Sequence, residues 1–259
     1  MPGYAEILYE VSGAVARLTL NRPERRNPLG PTTIAELASA LEQAGADDAV
    51  RVVVVTGAGK VFSAGGDLSQ LAGGAAGAGA VKPRTFPELF GVMAGLGKPI
   101  VARVNGHAMA GGLGLVVACD LAIASTEAKL GTPEIDVGLW PMMIMANIFR
   151  NAPRKRALEL ALLGEKIDAE EAVHLGLVNR AVPPGELDAA VDALCEKLAA
   201  KSPAVMRLGL RAFYRSQDMA YAEALEYLQG QLAAVLGTED AREGLMAFVQ
   251  KRPPVWKGR

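Results

Sequence analysis

Residues 104–115 read VNGHAMAGGLGL, and four glycines, Gly106, Gly111, Gly112 and Gly114, fall within nine positions of it. An apolar run, residues 99–104, leads in, and another, residues 115–124, leads out. Glycine concentrated between apolar runs marks backbone forced into unusual angles or brought close to something else. A tight turn satisfies that pattern, and so does a backbone amide aimed at a ligand. Residues 98–104 read as a buried strand, residues 111–118 can form a short helix, and residues 120–125 read as a further strand.

A second glycine-bearing loop, FSAGGDL at residues 62–68, follows the β-branched run of residues 50–56, itself read as a buried strand. Each loop can point a backbone N–H at one carbonyl oxygen. Two such donors would stabilise an enolate or thioester oxyanion, and one donor of this kind is typically worth about a hundred- to a thousand-fold in rate. Two tight strand-to-helix turns explain the same spacing equally well, so the residues alone leave both readings open.

Outward from these loops, residues 5–11 and Val15–Leu20 flank a Ser12-Gly13-Ala14 hairpin signal. NRPERRNPLGP then interrupts the pattern with three prolines and the basic cluster Arg22, Arg25 and Arg26. Pro31 suits a helix start, followed by Ile34, Leu37, Ala38 and Leu41 at helical spacing. Residues 72–80 are Gly/Ala-rich and read as a surface loop, and residues 86–96 as a helix ending near Gly97. After LGTPEIDVGLWPMM comes a helix over residues 142–150, and the chain beyond Ala152 is helical apart from a strand-like piece at residues 177–182. Leu187, Val191, Leu194 and Leu198 form one stripe, and Leu225, Leu228, Leu232 and Val235 another, each suited to core or subunit interface. Strands and helices alternate first and helices finish, which is an α/β class with a helical appendage.

Composition excludes several function classes. The 259 residues are 51% apolar and 21% charged with a net charge of −1, so nothing demands a nucleic acid or an anionic membrane as partner. Cys119 and Cys195 sit in apolar contexts and read as buried thiols. With only His107 and His174 available, no zinc spacing exists and no metal is expected. The N-terminus carries no basic-then-apolar leader, and no apolar run reaches membrane length. The expected compartment is the cytoplasm, or an organelle matrix after removal of a transit peptide.

Nucleotide motifs fail on inspection. A dinucleotide fingerprint through TGAGKVFSAGG needs glycine at Phe62, and a P-loop ending at Lys60 needs glycine at Val54. A nucleophile elbow at Ser63 needs glycine at Val61. His107 is either a base or a packed side chain, and His174 reads as structural.

In order and spacing, FSAGGDL, VNGHAMAGG, ACDLAIAS and the Pro-Glu of GTPEIDVGLWP resemble the enoyl-CoA hydratase/isomerase (crotonase) superfamily. NRPERRNPL, EAVHLGLVNRAVP and FVQKRPPVWKGR extend that resemblance over nearly the whole chain. It implies a crotonase-like α/β spiral of ββα units in residues 1–198, carrying the acyl-CoA site. A C-terminal helical trimerisation region, residues 199–259, would then give a homotrimer or a dimer of trimers. It implies an acyl-CoA thioester as substrate, with coenzyme A part of that substrate and no separate cofactor. By motif, Ala64 and Gly111 map to the two oxyanion donors and Glu134 to the acid/base. Arg25, Arg26, Gly65, Asp67 and Leu68 map to the coenzyme A contacts, with Phe248 and Lys251 reaching a neighbouring subunit's ligand.

One departure bears on the chemistry. Hydratases of this superfamily use two glutamates, and the first falls here on Gly114, which cannot transfer a proton. Glu134 alone can take an α-proton and return it at the γ-carbon, a Δ3,Δ2 double-bond shift. Isomerisation is therefore expected over hydration, and Gly114→Glu is expected to raise hydration if the second acid is all that is missing. An atypical hydratase and a non-catalytic acyl-CoA-binding homologue are the alternatives. Asp136 is either a second acid or a loop-capping side chain, and Met142 and Met143 stand where small residues are common in the superfamily.

Overall fold

The computed structural model describes residues 3–67 and 81–259. Leu68 and the loop expected over residues 72–80 lie outside the described residues.

A six-stranded sheet forms the spine. Its strands are β1 (Ile7–Ser12), β2 (Val15–Leu20), β4 (Val52–Gly57), β7 (Ile100–Val104), β9 (Leu121–Ser125) and β12 (Arg180–Val182), adjacent in that order. The β1–β2 hairpin is antiparallel and every later pairing is parallel. β4 shows why this is a buried sheet: all six of its residues, VVVVTG, are buried. Val53 and Val55 point into the main core, while Val52 and Val54 meet Leu187, Val191 and Cys195 of a helix spanning Leu187–Ala199. Covering both faces explains a continuous β-branched run rather than an alternating one. Each fully buried valine contributes roughly 1.5–3 kcal/mol.

A second sheet, which periodicity did not reveal, has strands of three residues each, in the order β11 (Lys166–Asp168), β10 (Lys129–Gly131), β8 (His107–Met109) and β5 (Val61–Ser63). A third pairing joins β3 (Pro28–Leu29) to β6 (Gly65–Gly66) in parallel. These short strands hold the two glycine-bearing loops side by side.

Helices α1 (Pro31–Ala46) and α2 (Phe86–Gly95) pack on one another, α2 entered through a capping box made by Thr85 and Glu88. The glycine stretch supplies α3 (Gly111–Ala118), with the bounds of the short helix expected there. α4 (Met142–Asn151) lies along α3, followed by α5 (Arg154–Leu163) and α6 (Ala169–His174). The helix Leu187–Ala199 is α7, and α8 (Pro203–Ser216), α9 (Tyr221–Leu236) and α10 (Glu239–Val249) complete the chain. The tail is fastened by Asp240, which is fully buried and accepts hydrogen bonds from the Ser202 hydroxyl (2.6 Å) and the Lys257 and Gly258 amides (2.7 and 3.1 Å). No residue of α9 is buried, so its leucine stripe is no part of this chain's own core.

Candidate active site

The site begins where β8 turns into α3. Ala110 occupies the turn with φ 52° and ψ −126°, a positive-φ conformation rare for a residue with a side chain. Such backbone costs of order 1–3 kcal/mol and persists where its surroundings fix it. The Ala110 N–H donates to the Gly131 carbonyl at 2.8 Å, fastening the turn to β10. Gly111 is the first residue of α3, where an N–H has no partner within the helix.

The second loop is pressed against this turn. Gly65 has φ 96°, and a Cβ there would meet the Ala110 Cβ at 2.6 Å and the Met109 carbonyl at 2.8 Å. Only glycine fits both the angle and the space. A Cβ on Gly111 would lie 3.6 Å from the Gly66 nitrogen and 3.1 Å from Phe86 Cζ. The amides of Gly66 and Gly111 are thus neighbours, with the Phe86 ring beside them, on the wall of a cavity of about 520 Å³.

Ala64, the expected first donor, is corrected by this geometry. Its N–H donates to the Arg26 carbonyl at 2.9 Å, so it has no hydrogen left for a substrate oxygen. The Gly65 N–H is engaged by the Ser63 hydroxyl (3.1 Å), and the Asp67 N–H points at the Leu29 carbonyl (3.4 Å). In the parallel register Leu29 faces Gly66, so the ladder bonds of Leu29 go to the residues flanking Gly66. That leaves the Gly66 N–H directed away from β3. Gly66 and Gly111 both line the cavity.

Glu134 reaches the same cavity from the short 3₁₀ turn Pro133–Val137, which closes on Gly138 with φ 75°. Its Oε2 is buried with no hydrogen-bond partner among the described residues. Burial pushes the Glu134 carboxyl above its ordinary pKa, and a bond from its own backbone N–H offsets part of that rise. A carboxylate so placed is a better proton acceptor than a solvated one. Asp136 lines the same cavity but is exposed, its oxygens 3.2 and 3.3 Å from where a Gly164 Cβ would stand.

Gly114 is not an empty place. A Cβ there would come within 2.6 Å of the Ile144 Cβ and closer still to its Cγ2. Ile144 is 4% exposed and fills the volume a side chain at 114 would need. Met142 and Met143 sit at the cavity's margin, 60% and 47% exposed, and the Trp140 Nε1–H donates to Met145 Sδ at 3.3 Å.

Of the residues expected at coenzyme A, Asp67 is 4% exposed and lines the cavity. Its carboxylate faces Arg25 (3.4 Å) and Arg22 (3.7 Å), and Arg22 also pairs with Glu6 (2.8 Å). Arg25 and Arg26 are exposed, and Arg26 has φ 62°. Phe248 is 85% exposed on α10 and Lys251 is exposed just beyond it, and neither lines the cavity of its own chain. His107 Nδ1 accepts the Lys129 amide (3.1 Å), and the buried Ser63 hydroxyl donates to the Asn27 carbonyl (2.8 Å), so both have structural partners. Gly66, Phe86 and Ile144 are site residues that sequence reading missed. A signal existed only for Gly66, whose neighbour Gly65 invites a chain reversal.

Known proteins share this fold. The Enoyl-CoA hydratase/isomerase family profile matches residues 10–259. A Thermus thermophilus relative is 40% identical over 245 residues, covering 93% of this chain and 97% of its own. The 2,3-dehydroadipyl-CoA hydratase of Escherichia coli is 34% identical over 257 residues, covering 98% and 100%. The crystal structure of an enoyl-CoA hydratase from Mycobacterium smegmatis superposes with a TM-score of 0.90 at 33% identity, covering 97% of this chain and 99% of that one. A profile matched from the first strand to the C-terminus, with relatives and structures matched at nearly full length, makes this chain a member of the enoyl-CoA hydratase/isomerase family, with the crotonase fold.

Proposed function

We propose that the chain binds acyl-CoA thioesters with the thioester oxygen between the Gly66 and Gly111 amides, and that Glu134 shifts a double bond from the β,γ to the α,β position. The Glu134 carboxylate takes an α-proton and the electron pair passes into a dienolate held by the two donors. The same carboxyl then returns the proton at the γ-carbon. The carrying observation is the pair Gly114 and Ile144: the position a second acid would take is occupied by a buried aliphatic side chain. With no acid at position 114, Glu134 suits a proton shuttle better than the paired activation of a water. The test is proton NMR of trans-3-hexenoyl-CoA with the protein, run beside hydration of crotonyl-CoA. Conversion to the 2-enoyl thioester without hydration supports the reading, and hydration as the dominant reaction overturns it.

Hydration is the second reading, favoured by the hydratase names of the relatives and by Asp136 on the same cavity. It requires Asp136→Asn to remove the hydration. Arg25, Arg26 and Asp67 are proposed to stand near the coenzyme A phosphates and adenine, since guanidinium forks suit phosphate oxygens. Phe248 and Lys251 would contact the ligand of a second copy in a homo-oligomer. The cytoplasm suits Cys119 and Cys195, both free and buried.

A further inference from the structure

A second cleft, of about 790 Å³, lies further along the same pair of helices. Met143 lines both it and the first cavity. The N-terminal end of α3, at Ala110 and Gly111, faces the first cavity, and its C-terminal end, at Val117 and Ala118, faces the second. At the helical rise, Gly111 and Ala118 are about 10 Å apart along the axis. α4 keeps pace beside it: Ile144 covers Gly114, and Asn147 lines the second cleft. Phe90 of α2 and Leu210 and Phe213 of α8 supply apolar walls.

The cleft has a polar end. The Tyr214 hydroxyl donates to Asp120 Oδ1 at 2.6 Å, and the Ile100 N–H donates to Asp120 Oδ2 at 2.6 Å. Asn147 Nδ2 is buried and has no hydrogen-bond partner among the described residues. A buried amide without an acceptor loses its hydration for nothing, so a ligand oxygen placed there recovers free energy. Asp120 and Asp218 line the cleft with Arg150 the only cation among the described residues that line it, and Arg150 already pairs with Asp218 at 2.9 Å, so a carboxylate is a poor occupant.

We propose that this cleft receives the far end of the acyl group, passing Met143, and that Asn147 Nδ2 donates to a neutral oxygen there, a hydroxyl or keto oxygen on a medium-length chain. The proposal rests on the thioester site described above, and saturated thioesters test it without any turnover. Titration calorimetry compares butyryl-CoA, octanoyl-CoA and 8-hydroxyoctanoyl-CoA. The hydroxylated chain should bind about tenfold more tightly than octanoyl-CoA, and Asn147→Leu should erase that difference. Met143→Trp, which closes the passage, should weaken both eight-carbon thioesters relative to butyryl-CoA. Equal affinity for the two eight-carbon thioesters, or a preference that survives Asn147→Leu, overturns the assignment of Asn147. An unchanged chain-length ratio in Met143→Trp overturns the path. If butyryl-CoA itself does not bind, the thioester site fails and this proposal falls with it.

Discussion

Gly114 and Ile144 are complementary: the hydrogen of one residue faces the branched side chain of the other, and a Cβ at 114 would stand 2.6 Å from the Ile144 Cβ. Installing the missing acid by Gly114→Glu alone therefore cannot work as the sequence suggests. Forcing a side chain into a filled core costs typically 1–3 kcal/mol and displaces its neighbours. The single variant should melt at lower temperature and show no gain in crotonyl-CoA hydration. Gly114→Glu with Ile144→Gly opens the space and should show measurable hydration where the single variant shows none. Ile144→Gly alone, a large-to-small change at a site 4% exposed, should lose about 2–5 kcal/mol in a denaturant titration.

How far the sequence could be read depended on the range of the contact concerned. The bounds of α3 were legible because its residues are apolar on every side, seven of the eight buried, in an unbroken run between a glycine-bearing turn and Asp120. β4 was legible because burial on both faces leaves a run of valines. The four-stranded sheet was not, since strands of three residues are too short for alternation to declare itself. Choosing Gly66 over Ala64 required the pairing of β6 with β3 and the bond from Ala64 to Arg26. The Gly114–Ile144 fit joins residues on different helices and has no local signature.

Glu134 gives a prediction with a worked sign. Its carboxyl is held above the ordinary value of 4.5 by burial, so the folded protein favours the neutral form. Proton abstraction by Glu134, as proposed, needs the carboxylate, so kcat/KM should fall as pH drops through a value above 4.5. Stability runs the other way: the protonated group's contribution is complete below the unfolded pKa and is lost as pH rises through the folded one. Glu134→Gln should accordingly lower turnover by about a hundred- to ten-thousand-fold. Its melting temperature should gain on the parent protein as pH rises from acid to neutral. A variant of full activity at neutral pH removes Glu134 from the mechanism.

Assigning the first donor to Gly66 predicts an asymmetry between neighbouring amides. Gly66→Pro deletes the proposed donor and should lower kcat by about a hundred- to a thousand-fold. Binding of butyryl-CoA, measured by calorimetry, should survive if circular dichroism shows the fold intact. Ala64→Pro deletes an amide that serves the Arg26 carbonyl, so its cost should appear first as lost stability. A variant at 66 with unchanged kcat places the donor elsewhere.

The last prediction concerns α9 and α10. Leu225, Leu228, Leu232 and Leu236 are 39–57% exposed along one helix, and Phe248 and Val249 are 85% and 79% exposed at the end of the next. An apolar surface of this extent is uncommon on a protein that works alone. In an obligate assembly such a surface forms the buried centre. Leu232→Glu places a charge in the middle of that stripe, while Leu232 lines neither the cavity nor the second cleft. Light scattering coupled to size-exclusion chromatography should show the parent protein as a trimer or a multiple of one and the variant shifted to monomer. If Phe248 and Lys251 complete a neighbour's coenzyme A site, the monomeric variant should also bind butyryl-CoA more weakly, and Lys251→Ala in the intact oligomer should reproduce part of that loss. A parent protein that runs as a monomer, with its affinity for butyryl-CoA unaffected by either change, leaves the exposed stripe without this role.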